Sequence, residues 1–95
     1  MRKFQFCVKN LNMHNYRIQL FSSIKDRLGK REINVDIDAP EISVAHLIEE
    51  ISKNYPSISK DLTFCRVAIN QEYKRKEELL KKDDEIAIIP PVSGG

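Results

Sequence analysis

One segment of this chain carries a long apolar stripe at helical spacing, and that restricts what the rest can fold into. Val44, Leu47, Ile48, Ile51 and Tyr55 recur every three or four residues, the period of an amphipathic helix. Ser43 is placed to cap its start, Ile42 and Leu47 are spaced for a hydrophobic staple, and Pro56 ends the pattern. No second stripe of similar length exists to cover this helix, so its apolar face has to lie on a sheet. The sheet is legible nearby. Arg17 to Phe21 and Glu32 to Ile37 alternate apolar with polar residues, and Arg66 to Asn70 and Glu85 to Ile89 read as two further strands. Ser22 or Ser23 can cap a short helix carrying Ile24 and Leu28, which Gly29 stops. Several strands with one main helix packed across one face make a two-layer α+β domain.

Ninety-five residues allow a single such domain. The longest apolar run, Ile86 to Ile89, falls far short of the roughly 20 residues a bilayer span needs, so a membrane helix is excluded. A net charge of +2 from 16 basic and 14 acidic residues is too even to call for nucleic acid. The mixed run Lys81 to Glu85 reads as a solvated turn. Cys7 and Cys65 fit neither a metal spacing nor a disulfide framework, which suits reduced thiols and a cytoplasmic protein. His14 lies in an expected loop and His46 off the helical stripe, with no metal or triad set spaced around either. Cys65 precedes a strand with only Arg66 beside it to lower its pKa, so a packed thiol is expected rather than a nucleophile. No metal site is expected, and no glycine-rich phosphate loop follows the first strand. Residues 1–15 read as an extension, either flexible or carrying a short strand through the alternating Phe4, Phe6 and Val8, with Asn10, Asn12 and Asn15 crowding its junction. The domain proper is expected over residues 16–89.

The chemistry is concentrated at the other end. The last strand runs into Pro90-Pro91-Val92-Ser93-Gly94-Gly95. Two prolines cannot continue a ladder and fix φ near about −65°, so residues 90–95 are expected to leave the domain as a semi-rigid stalk. Two residues without Cβ at the tip make the thinnest peptide available, able to thread a narrow tunnel and present a carboxylate.

The segment Glu85 to Gly95, with Asp84-Glu85 before the last strand, Ala68-Ile69-Asn70-Gln71 in the strand before it and Leu20-Phe21 ahead of a helix ending at Leu28-Gly29, resembles the small, sulfur-carrying subunits of molybdopterin synthase. That family is ubiquitin-like, with a mixed β-grasp sheet. The resemblance spans about residues 16–95 and implies a carrier cycle centred on Gly95. An activating enzyme akin to the ubiquitin activators, using ATP and Mg²⁺, would adenylate the Gly95 carboxylate, and a sulfur donor would convert it to a thiocarboxylate. The tail, Pro90, Pro91, Val92, Ser93 and Gly94, would then enter the large synthase subunit of a two-plus-two heterotetramer, where the sulfur attacks cyclic pyranopterin monophosphate. The chain would be a cosubstrate rather than a catalyst and would bind no cofactor of its own. Two other readings are a carrier for thiamine or tRNA thiolation, against which Pro90-Pro91 argues, and a protein modifier joined to lysines through Gly95.

Strand parity adds a docking surface. If Ile18, Leu20, Ile86 and Ile88 face the helix, then Phe21 and Ile89 face away from it, and Tyr73 falls in the turn after the strand ending at Asn70. Large apolar residues on a solvated sheet face point to a partner. Phe21, Tyr73 and Ile89 are therefore expected at the apolar centre of a surface used by the activating enzyme and the large subunit, rimmed by Arg66 and Lys74.

Overall fold

The computed structural model describes residues 13–91. In chain order the elements are β1 (His14–Leu20), α1 (Ser22–Leu28), β2 (Glu32–Ile37), β3 (Glu41–Ser43), α2 (Val44–Asn54), a 3₁₀ turn (Pro56–Ile58), α3 (Ser59–Leu62), β4 (Arg66–Ile69), β5 (Glu72–Lys74), β6 (Leu79–Lys81) and β7 (Ile86–Ile89). Five strands form one sheet in the order β2-β1-β7-β4-β5, while β3 and β6 pair separately. β1 and β7 run parallel, with Ile18 opposite Ile86 and Leu20 opposite Ile88. Every other pairing is antiparallel. A mixed sheet with its first and last strands parallel at the centre and one main helix across a face is the β-grasp arrangement.

The periodicities translate directly into burial. Ile18 and Leu20 on β1, Ile33, Val35 and Ile37 on β2, and Ile86 and Ile88 on β7 are all buried. They meet Val44, Leu47 and Ile51 from α2, with Ile48 and Tyr55 half-buried at the margin. Each fully buried aliphatic side chain contributes roughly 1.5–3 kcal/mol through area removed from water. The α2 N-terminus is satisfied by three separate acceptors. Ser43 Oγ accepts from the His46 amide at 3.1 Å. The Val44 and Ala45 amides donate to the carbonyls of Glu78 and Lys76, each at 2.9 Å. Amides that the helix itself cannot pair thus fasten it to the segment before β6. Tyr16, the largest residue of the core, is fully buried and donates its hydroxyl to the Ala39 carbonyl at 2.7 Å. Burial pushes its phenol above the ordinary value, and the carboxylates of Glu41 and Asp84 add to this.

The structure departs from the sequence-based expectations in several places. β1 starts at His14, two residues inside the stretch assigned to the extension and with His14 in a strand rather than a loop. Asn15 is not a loop former here, because its Nδ2 donates to Asp36 Oδ1 across the β1–β2 pair at 3.0 Å. Neither serine caps α1. The cap position is Phe21, and Ser22 itself sits at φ 51°, a left-handed turn that takes the chain sharply from strand to helix. Gly29 does close α1 at φ 68°, its amide donating to the Lys25 carbonyl. Tyr73 lies in β5 rather than in a turn. Pro90 is buried, so the chain leaves the domain one residue later than expected, at the exposed Pro91. The 3₁₀ turn, α3, β3, β5 and β6 have no counterpart in the sequence reading.

Candidate functional site

The outer face of the sheet, away from α2, divides into two halves. Over β2 and β1 it is polar, with Glu32, Asn15, Arg17 and Gln19 lining a depression closed by Asn70 and the Lys82–Glu85 turn. Over β7, β4 and β5 it is apolar. Register explains the second half. Ala68 on β4 stands opposite both Ala87 on β7 and Tyr73 on β5, and Arg66 stands opposite Ile89. Two alanines leave a shallow row beneath the tyrosine ring. Arg66, two residues before Ala68 on the same face, lays its guanidinium over that ring at 5.1 Å from the centroid. Such stacking contributes about 0.5–1 kcal/mol at an exposed site.

Below this pair the chain makes its exit. Ile89, Pro90 and Pro91 share one cleft with Arg66, Tyr73 and Phe64. The sheet can accept Pro90 there because the β1 ladder ends at Ile88 and the β4 ladder at Ile89. No pairing partner is left waiting for the missing amide.

The structure thus brings Tyr73 and Ile89 into one cleft at the root of the tail. Phe21 does not join them. It follows Leu20, whose partner is Ile88, so it stands level with Ile89, yet it lines a separate depression with Gln19, Lys25 and Arg31. It is 42% exposed, and Tyr73 is 58% exposed. Ile89 is half-buried rather than fully in water, with Arg66 of β4 paired beside it. Of the expected rim, Arg66 is exposed, while Lys74 is held at 3.4 Å by Glu72 and 3.8 Å by Glu78. Gly94, Gly95, Val92 and Ser93 lie outside the described residues, as do Cys7, Phe4 and Phe6.

Sequence reasoning missed Phe64, which at 70% is more exposed than Tyr73 and stands in the turn after α3. A signal was present. Leu62 and Cys65 around it are core-facing, which leaves an aromatic residue between them with nowhere to go but solvent.

The described residues hold no group of three potential metal ligands, and none of their helices is long and apolar enough to cross a membrane. Cys65 is a free, half-buried thiol whose Sγ donates to the Asp61 carbonyl at 3.1 Å. Burial raises its pKa, and the Asp61 carboxylate raises it further, which makes it a poor nucleophile. His46 sits on the surface, 3.6 Å from Glu50. Among the described residues the domain offers a handle and a tail root, and no catalytic cluster.

The profile of the ThiS family matches residues 18–95, a span that includes the Gly-Gly tip. A molybdopterin synthase sulfur carrier subunit from Dictyostelium discoideum is 40% identical over 84 residues, covering 86% of this chain and 98% of the relative. Among solved structures, SAMP1 from Haloferax volcanii superposes with a TM-score of 0.72 at 25% identity, covering 85% of this chain and 99% of the other. A chain from the complex of subunits 1 and 2 of molybdopterin-converting factor from Helicobacter pylori gives 0.57 at 27% identity, covering 85% and 99%. The chain belongs to the ThiS family, and relatives it matches over nearly their whole length are molybdopterin synthase sulfur carrier subunits.

Proposed function

We propose that this chain carries sulfur for molybdenum cofactor biosynthesis in the cytosol, with its chemistry at the Gly95 carboxylate. The observation that carries the reading is the family match, which runs through the tail to Gly95 and is joined by a relative aligned over nearly its whole length. The cycle follows from carboxylate chemistry. A carboxylate is unreactive toward sulfur nucleophiles because oxide is a poor leaving group. An activating enzyme with ATP and Mg²⁺ forms the Gly95 acyl-adenylate and releases pyrophosphate. Sulfide supplied by a donor then attacks the acyl carbon and AMP departs, leaving a thiocarboxylate. The tail enters the large subunit, where that sulfur attacks the pterin precursor, and hydrolysis of the resulting Gly95 thioester leaves the sulfur on the pterin and returns the carrier carboxylate. Two sulfurs are needed for a dithiolene, so each product consumes two carriers, in keeping with a two-plus-two assembly. The carrier supplies a reactive group and a docking face, and the large subunit supplies the pocket.

Intact mass spectrometry tests this. After incubation with the activating enzyme, ATP and a sulfur source, the chain should gain about 16 Da, one oxygen replaced by sulfur, and a Gly95-deleted chain should gain nothing. An unchanged mass with a competent activating enzyme overturns the reading. The name small archaeal modifier protein 1, carried by a 25%-identical neighbour from Methanosarcina acetivorans, supports a second one, in which Gly95 is joined to lysines. Isopeptide remnants of this tail on cellular proteins would favour that reading.

A further inference from the structure

Phe64 has no role in the core, being the most exposed large apolar side chain among the described residues. It lines the same cleft as the Arg66-stacked ring of Tyr73 and both prolines. The two aromatic residues come from different parts of the fold, the turn after α3 and the edge strand β5. We propose that Phe64 is a positioning residue for the tail root: with Tyr73 it faces Pro90 and Pro91 across the cleft that all four line, and so restricts the direction in which Pro91 leaves the domain before any partner is met.

The physical argument is one of freedom lost on binding. A proline ring presents flat, weakly polar C–H edges that pack well against aromatic faces, and its fixed φ leaves little of its own to order. Pro90 is buried, which anchors one end of the dipeptide. Pro91 is exposed, so beyond its own fixed φ the facing wall of the cleft is what limits the angle at which it leaves. Removing that wall widens the range of exit directions. The partner must then select one direction from many, and affinity falls by the fraction of carriers already aimed correctly.

This rests on the carrier reading for its consequence but not for its geometry, so the experiment has two arms. In the first, the free chain is studied by NMR. Ring currents from Phe64 should displace the Pro91 ring-proton resonances, and Phe64→Ala should return them to coil positions with no change in thermal midpoint. Unperturbed Pro91 resonances in the parent chain overturn the proposal whatever the chain carries. In the second arm, binding to the large subunit is measured by calorimetry for Phe64→Ala, Pro91→Gly and the pair. Phe64→Ala should weaken binding about fivefold and Phe64→Leu should restore part of it. In the Pro91→Gly background, Phe64→Ala should cost nothing further, since there is no longer a ring to aim. A full additive loss would show instead that Phe64 touches the partner directly, and would overturn the positioning role. Failure of the parent chain to bind at all counts against the carrier reading, while the first arm still decides the cleft.

Discussion

Asn70 ties together two parts of the chain that are far apart in sequence. It and Gln71 occupy the centre of the β4–β5 turn at φ 54° and 72°, with Ile69 and Glu72 paired on either side. A two-residue hairpin turn with both φ positive matches the twist of its strands, and Asn tolerates that conformation where Ala does not. The side chain then reaches sideways. Its Nδ2 donates to Asp84 Oδ1 at 3.2 Å, and its Oδ1 accepts from the Glu85 amide at 2.9 Å. Asp84 in turn accepts from the Lys81 amide through Oδ2 at 2.8 Å. Asn70-Gln71 and Asp84-Glu85, two of the short motifs carrying the family resemblance, are therefore one hydrogen-bonded latch that sets where β7 begins. Asn70→Ala loses both the conformational preference and the latch, and should cost about 2 kcal/mol. Asn70→Gly keeps the turn and loses only the latch, for about 1 kcal/mol. Urea denaturation of the two variants separates the terms, and equal losses would show that the turn conformation contributes nothing.

Elements were legible in proportion to their length and one-sidedness. β2 alternates over six residues with every second one buried, and α2 buries three residues at helical spacing along its eleven-residue length, so period alone found both. β3, β5 and β6 have three residues each. Three residues cannot display a period, and these strands form through pairing partners that no local pattern encodes. The tail root failed for a different reason. A double proline after an apolar strand does end the ladder, but ending a ladder is not the same as leaving the core. Where both neighbouring strands have already stopped, a proline ring is simply another apolar group to bury. The two prolines should therefore behave differently. Pro90→Gly removes a buried ring and adds unfolded-state entropy, and should cost about 2 kcal/mol. Pro91→Gly should change stability by less than about 0.5 kcal/mol. Thermal melts of the single variants would expose the contrast, and equivalent effects would mean that Pro90 carries no share of the core.

At the scale of the whole molecule, the fold divides its labour between two faces and one exit. The inner face of the sheet is spent on α2 and the core. The outer face is polar over β1–β2 and apolar over β7–β4–β5, and the tail leaves from the apolar half. A partner that must both grip the domain and receive the tail has least distance to bridge if it docks on that half. Tyr73 is the sharper probe of this than Ile89. Ile89 is half-buried, so a charge there would disturb the sheet as well as the interface, whereas Tyr73 stands largely in water on an edge strand. Tyr73→Asp replaces the aromatic centre with a charge and removes the ring that Arg66 covers. It should leave the free chain folded and weaken association with the large subunit by at least about 2 kcal/mol, the scale of an interface hot spot. Arg17→Glu lies on the polar half of the same face and should change association by less than about 0.5 kcal/mol at moderate salt. Calorimetric titration of both variants against one preparation of the large subunit distinguishes the halves. A large loss for Arg17→Glu with none for Tyr73→Asp would move the docking surface to the β1–β2 half, and the tail would then have to cross the sheet to reach its pocket.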